Sequence, residues 1–367
     1  MKEFTKKILF QLNLLVALAL LLAYGANFIS PARIWPIAFF GLSYPILFLA
    51  NLFFLIFWLW RVNKKFILSL VIIVVGLSNV GRYIQLPSGN KATETDLKVL
   101  TYNVRVFDEY DWASEDVDRD SIARYINSLD ADLVCLQEFY VDTRTYKKSE
   151  THTKNLFKTV TPHSHIKYSL RRTNTKRKFG VATLSKYPII RKGSINFENS
   201  FNTCIFSDVL YNSDTIRVYN IHLQSISLKK NYTLVDSLAY INSKRIGEMK
   251  DISKRLKTAY IRRAEQVEVV KEHVGQSPYP VIICGDFNDT PVSYTYHQLL
   301  GDRIDAFREA GSGLSRTYSG DLPSFRIDYI FHDSFFEATD YSIANEKLSD
   351  HYPVMSSLQV NSEIENQ

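Results

Sequence analysis

Apolar positions along this chain fall into two regimes. From Ile8 to Ile29 nearly every residue is apolar, and a helical run of that length crosses a ~30 Å hydrocarbon layer. A second run, Trp35 to Trp60, carries no charge. A third, Phe66 to Val80, is shorter and reaches crossing length only by taking in Tyr83 or Ile84. The pattern predicts three transmembrane helices, about 8–29, 35–60 and 66–84, making a membrane anchor of residues 1–85. No small-x-small site followed by polar sequence ends the first run, which argues against a removed signal peptide.

Residues 86–95 form a polar linker and 361–367 a polar tail. Between them, over 96–360, short apolar segments alternate with amphipathic ones. Strands are predicted at 98–103, 133–137, 181–185, 216–222, 281–285, 328–332 and 354–360, and helices at 121–129 and 260–273. Leu133-Val-Cys-Leu and Val281-Ile-Ile-Cys lack the polar alternation of a half-solvated strand, so both faces should be covered. The predicted fold class is α/β: a two-sheet β-sandwich flanked by helices, one domain in size, preceded by three transmembrane helices.

Charge follows the same division. Eight of the 44 Lys/Arg but one of the 38 Asp/Glu lie before residue 91, so the net charge of +6 belongs to the apolar part and the remainder is near neutral. A global basic charge therefore gives no argument for nucleic acid. Lys2, Lys6, Lys7, Arg61, Lys64 and Lys65 lie on one side of the predicted spans, against Arg33 and Arg82 on the other. That asymmetry places the N-terminus inside, and three crossings then put the large domain outside the cytoplasm, as in an inner-membrane protein of a bacterium; were the third run only interfacial, the domain would be cytoplasmic. Cys135, Cys204 and Cys284 offer no disulfide framework. Cys135 and Cys284 read as buried, inert thiols within strands.

Polar residues stand at the ends of the apolar strands, where burial gives no reason for them. Asn103 closes Leu100-Thr-Tyr-Asn, Glu138 closes Leu133-Val-Cys-Leu-Gln-Glu, and His222 closes Val218-Tyr-Asn-Ile-His. Asp286 and Asn288 lie in Gly285-Asp-Phe-Asn-Asp-Thr-Pro, Asp328 in Arg326-Ile-Asp, and Asp350 and His351 in Ser349-Asp-His. Strand ends on one side of a sheet converge, and ligand sites form there. Four carboxylates gathered in this way would repel one another unless a cation intervened. Oxygen-rich donors without thiolate suit Mg²⁺ or Mn²⁺. A cation plus amide and imidazole donors suits the spread negative charge of a transferring phosphoryl group. Taken singly, each residue has a bland reading as a cap, a turn residue or a satisfied histidine. The whole ordered set does not.

That set resembles the endonuclease/exonuclease/phosphatase superfamily, on Asn103, Glu138, His222, Gly285–Asn288, Arg326–Asp328 and Ser349–His351. The resemblance covers about 96–360 and no part of the apolar region. It implies a metal-dependent phosphoesterase with Asn103, Glu138 and Asp350 at the metal. Asp286 would orient or deprotonate water, with Asn288 holding the water or a phosphate oxygen. His351, steadied by Asp328, would be the base or a phosphate-stabilising imidazole, and His222 would donate to the phosphate or leaving group. The expected partners are the lipid bilayer and a phosphate-ester substrate, either nucleic acid or a phospholipid or sphingolipid headgroup. Residues 144–178 carry eleven Lys/Arg against Glu150, interleaved with Tyr146, Phe157 and Tyr168, and 227–263 carry ten against three acids. Such stretches suit a polynucleotide or anionic headgroups, and equally a solvated face. Other readings are a catalytically silent membrane-bound binding domain, and a carboxylate-pair glycosidase that would leave the histidines and asparagines unexplained.

Overall fold

A computed structural model of the chain describes residues 3–87, 92–109, 118–169, 176–198, 200–226, 243–320 and 325–361. The polar tail beyond 361, part of the linker (88–91), and the segments 170–175 and 227–242 of the two basic stretches lie outside the described residues.

The apolar runs fold as α1 (Glu3–Gly25), α2 (Ile37–Leu42), α3 (Tyr44–Trp60), α4 (Phe66–Val75) and α5 (Leu77–Val80). Buried polar side chains join them. Asn13 Nδ2 donates to Ser69 Oγ at 2.7 Å, Trp58 Nε1 to Asn13 Oδ1 at 3.0 Å, and Asn51 Nδ2 to the Val16 carbonyl at 3.1 Å. In an apolar setting such bonds hold helices together where hydrophobicity cannot discriminate between them. Among the described residues only α1 is long and apolar enough to cross a membrane by length and composition. The expectation of three spans is corrected accordingly. The second run breaks at Ser43, ahead of Pro45 in the first turn of α3, and the third breaks at Gly76. Proline lacks the N–H that would continue a helix from the preceding turn.

The rest is built on strands. In chain order these are β1 (Ile84–Gln85), β2 (Leu97–Asn103), β3 (Leu133–Asp142), β4 (His163–Tyr168), β5 (Arg177–Ser185), β6 (Ile189–Asn196) and β7 (Thr203–Tyr211). They continue with β8 (Asp214–His222), β9 (Val281–Asp286), β10 (Ile304–Asp305), β11 (Gly313–Leu314), β12 (Asp328–His332), β13 (Phe336–Ile343) and β14 (Val354–Val360). Two six-stranded mixed sheets form, in the orders β13-β14-β2-β3-β5-β4 and β10-β12-β9-β8-β7-β6. A core between them joins Leu97, Val99, Leu133 and Cys135 to Val218, Ile282, Cys284 and Ile330. Outside, α6 (Arg119–Ser128) and α7 (Glu150–Phe157) lie on the first sheet's side, and α8 (Ser243–Gly275) with α9 (Tyr294–Leu300) on the second's. The two-sheet sandwich with flanking helices is as the apolar pattern implied. All three cysteines are free and buried; burial pushes the Cys204 thiol up, and the neighbouring Cys135 together with burial raises Cys284, which keeps them inert.

Candidate active site

Register places three site residues side by side in the second sheet. His222 is paired with Asp286 across the parallel β8–β9 ladder, and Asp286 with Asp328 across the antiparallel β9–β12 ladder. Gly285 permits this closeness: its φ is +143°, and a Cβ there would lie 2.0 Å from the Ile221 carbonyl. The first sheet contributes Asn103 at the end of β2 and Glu138 within β3. Glu138 occupies a bulge, since the register passes from Leu136↔Ala182 to Phe139↔Gly180, and its φ is +52°. The bulge breaks the alternation of faces, as bulges beside active sites do. Gln137 therefore turns between the sheets, donating to Asn220 Oδ1 at 2.8 Å and Thr101 Oγ1 at 3.1 Å. The loop before β14 supplies Asp350 and His351. It is held down by Ser349 Oγ, which donates to the Asn103 carbonyl at 2.8 Å.

One carboxylate oxygen is the meeting point. Asp286 Oδ2 accepts from Asn103 Nδ2 at 3.0 Å and Asn288 Nδ2 at 3.1 Å, and it lies 3.8 Å from His222 Nε2 and 3.7 Å from His351 Nε2. The Asn288 backbone N–H donates to the other oxygen at 2.8 Å. Asn288, at φ +54°, adopts the left-handed conformation that asparagine tolerates. His222 Nε2 is also 3.9 Å from Glu138 and, though buried, has no hydrogen-bond partner. Arg105 Nε approaches Asp350 at 3.3 Å.

Electrostatics separate these groups. Burial pushes Asp286 up to about 7, with Asp328 adding to this and His351 opposing it. Glu138 is raised first by burial and then by the charge of Asp350, while His351 and Asn103 oppose. Burial, then the neighbouring His351, drives His222 down to about 3, so it is neutral at pH 7. Burial would lower His351 too, but Asp328 and Asp286 outweigh it and hold the imidazole up at about 10. Two histidines a few ångströms from one carboxylate thus have opposite charge states at neutral pH.

All eight residues singled out from the sequence therefore lie at or beside one rim. Sequence reasoning missed Arg105, Gln137, Asn220, Thr317 and Tyr318. Thr317 Oγ1 accepts from the Asp328 N–H at 3.1 Å, and the Tyr318 ring meets that of His351 edge-on at 5.2 Å. Arg105 begins four consecutive residues with φ between 42° and 56°. That conformation costs roughly 1–2 kcal/mol per non-glycine residue, and Arg105-Val-Phe-Asp carries no glycine or asparagine to announce it. Two of the histidines left aside have hydrogen-bond partners elsewhere in the sandwich, His273 with Tyr219 Oη at 2.8 Å and His165 with Ser207 Oγ at 3.0 Å. Within the first basic stretch, Arg144 and Arg177 lie on Asp142, Lys148 on Glu109 and Lys154 on Glu150.

The donor set fits a hard divalent cation. Its groups are carboxylate and amide oxygens with imidazole and no thiolate, and its carboxylates crowd one another. Ligand atoms of Asp286, Asp328 and His351 fall within 4.8 Å of one another. Both Asp328 oxygens, however, are engaged with His351 Nδ1. Glu138, with 33% of its side chain exposed, is the more open carboxylate.

A two-sheet sandwich with an acid, amide and imidazole cluster at one rim defines a class, and comparison supplies the family. Residues 100–351 match the Endonuclease/Exonuclease/phosphatase family, and the chain belongs to it. Residues 6–83 match a Domain of unknown function (DUF8431). Among solved structures, the endonuclease/exonuclease/phosphatase from Beutenbergia cavernae DSM 12333 aligns at TM-score 0.53 and 19% identity, covering 72% of each chain. A family protein from Leptotrichia buccalis C-1013-b aligns at 0.51 and 16%, covering 72% of this chain and 99% of its own. A humanized D. rerio TDP2 aligns at 0.50 and 15%, covering 73% and 100%. At these identities the likeness is one of fold. No curated protein matches the chain.

Proposed function

We propose that the protein is a membrane-anchored, Mg²⁺-dependent phosphoesterase that hydrolyses a phosphate ester by in-line attack of water. The observation that carries this reading is the ring around Asp286 Oδ2: two amides at hydrogen-bond distance and two imidazoles just beyond. Asn103, Glu138 and Asp350 would hold Mg²⁺ or Mn²⁺. Such an ion, when bound, neutralises charge on the phosphate oxygens and polarises the phosphorus centre. Asp286, aimed by Asn103 and Asn288, takes the proton of the attacking water. His351, cationic through Asp328, faces the phosphoryl oxygens. His222, neutral and unpartnered at Nε2, has that nitrogen free for a phosphate or leaving-group oxygen. Preorganised donors of this kind act where charge develops, and they cost no reorganisation during the reaction.

The anchor reading rests on α1 and on the apolar surface beside it, where Leu49, Phe53, Ile56, Val71 and Val74 are each at least 51% exposed, as a lipid-facing surface would be. The bonds from Asn13 to Ser69 and Trp58 build α1 into the fold, which favours an anchor over a removable signal sequence. A single crossing with the N-terminus inside still puts residues 96–360 outside the cytoplasm. Membrane tethering favours a headgroup phosphoester over a polynucleotide.

The test is a panel of full-length protein in micelles against plasmid DNA, RNA, sphingomyelin, phosphoinositides and bis-p-nitrophenyl phosphate, with and without Mg²⁺. Mg²⁺-dependent cleavage lost in Asp286→Ala supports the reading. Inactivity of the folded wild type on every phosphoester would favour a silent binding domain.

A further inference from the structure

The last turn of the N-terminal helices is hydrogen-bonded into the two segments that carry the site. Arg82 Nη1 donates to the Pro291 carbonyl at 3.0 Å and to Asn27 Oδ1 at 2.8 Å. The Arg82 carbonyl accepts from Arg326 Nη1 at 3.0 Å. Pro291 belongs to the turn running on from Asp286 and Asn288, and Arg326 stands two residues before Asp328, the partner of His351.

Other contacts make the same junction tight. Val292 packs with Leu20, Ala23, Tyr24 and Tyr44 in one apolar cluster. Gly41 in α2 lies against the turn so closely that a Cβ would sit 2.4 Å from the Val292 carbonyl. Tyr329 Oη donates to the carbonyls of Asp289 and Arg326, both at 2.8 Å, which ties the two segments to each other. The guanidinium of Arg326 also pairs with Asp305 in the buried interior.

We propose that Arg82 is a positioning residue for the reaction: through Pro291 and Arg326 it sets the spacing between Asp286–Asn288 and the Asp328–His351 pair. On this view the N-terminal helices are part of the catalytic scaffold as well as a tether. The inference rests on the phosphoesterase reading above. Its physical basis is the steep dependence of rate on alignment, since a displacement of about 1 Å can cost on the order of 10²-fold. Arg82 is suited to the task because one side chain bonds the active-site turn while its own carbonyl bonds the strand lead-in opposite.

The experiment uses the full chain in micelles with bis-p-nitrophenyl phosphate and saturating Mg²⁺. Arg82→Ala and Arg82→Gln should lower kcat roughly tenfold with KM and Tm little changed, and hydrogen exchange across 289–292 should accelerate. Arg82→Lys, which keeps a cationic donor, should recover much of the lost kcat. Lys257→Gln, at a separate contact of the same two parts where Lys257 Nζ lies 4.9 Å from the Trp35 ring, should leave kcat unchanged. Wild-type kcat in Arg82→Ala, unaltered exchange at 289–292, or a loss that tracks a fall in Tm and is not rescued by lysine would overturn the proposal. An inactive wild type would instead remove the phosphoesterase reading on which it stands.

Discussion

His351 Nδ1 lies 2.9 and 3.1 Å from the two carboxylate oxygens of Asp328, and both residues are buried. With Asp286 also near, the imidazole is held up at about 10 against an ordinary 6.5. A histidine raised in the folded state adds stability fully present below its unfolded value and lost as pH rises through the folded one. Asp328→Asn should therefore lower Tm most at pH 6 and progressively less toward pH 10. Thermal unfolding in EDTA at pH 6, 8 and 10 measures the gap, and a gap independent of pH would contradict the ion pair.

Asp286 and His351 should dominate the chemistry. Asp286→Ala is expected to reduce kcat by about 10²–10⁴-fold, the usual worth of a positioned proton-transfer group, and His351→Ala by about 10²–10³-fold, that of a donor aimed at developing charge. Asp286→Asn keeps the acceptor for Asn103 but not the base, and should be as inactive as the alanine variant. Steady-state kinetics on bis-p-nitrophenyl phosphate would reveal the contrary.

Glu138 and Asp350 crowd each other, and the charge of Asp350 raises Glu138. Glu138→Gln and Asp350→Asn should raise the Mg²⁺ concentration for half-maximal activity by at least about tenfold. Chelation should abolish activity, and Mg²⁺ or Mn²⁺ should restore it. Magnesium titrations of the three proteins check this; identical curves would remove both residues from the metal.

Gly285→Ala should not yield a stable protein. Its Cβ would sit 2.0 Å from the Ile221 carbonyl, at a φ of +143°, and backbone on backbone has no flexible end to move aside. Expression and Tm of this variant beside Gly275→Ala, where no atom lies within 4 Å of a Cβ, give the comparison.

Topology is open to a reporter fused at the C-terminus. Alkaline phosphatase there should be active and a cytoplasm-dependent fluorescent protein dark. The reverse result would place the sandwich inside the cell.

Several elements were legible in the sequence alone. The strands ending in Asn103, His222 and Asp286 lie within a residue or two of their predicted bounds, because strands covered on both faces are written as unbroken apolar runs. The strands Ile189–Asn196 and Phe336–Ile343 were not foreseen. They mix polar and apolar positions, and at sheet edges burial asks less of the sequence. In the apolar region, composition announced three runs but not the breaks at Ser43 and Gly76.

By itself the sequence determined which residues could do chemistry, since acids, amides and imidazoles at the ends of apolar strands declare themselves against their surroundings. Only the tertiary structure decided what each of them does electrically. His222 and His351 are the same side chain, yet one is driven down to about 3 and the other up to about 10. Burial lowers both, and the difference lies in the carboxylates that face His351, Asp328 first among them, a pairing made between separate segments of the chain. The same holds for Arg82, whose bonds to Pro291 and Arg326 join residues more than 200 positions distant, a relation that no local pattern encodes.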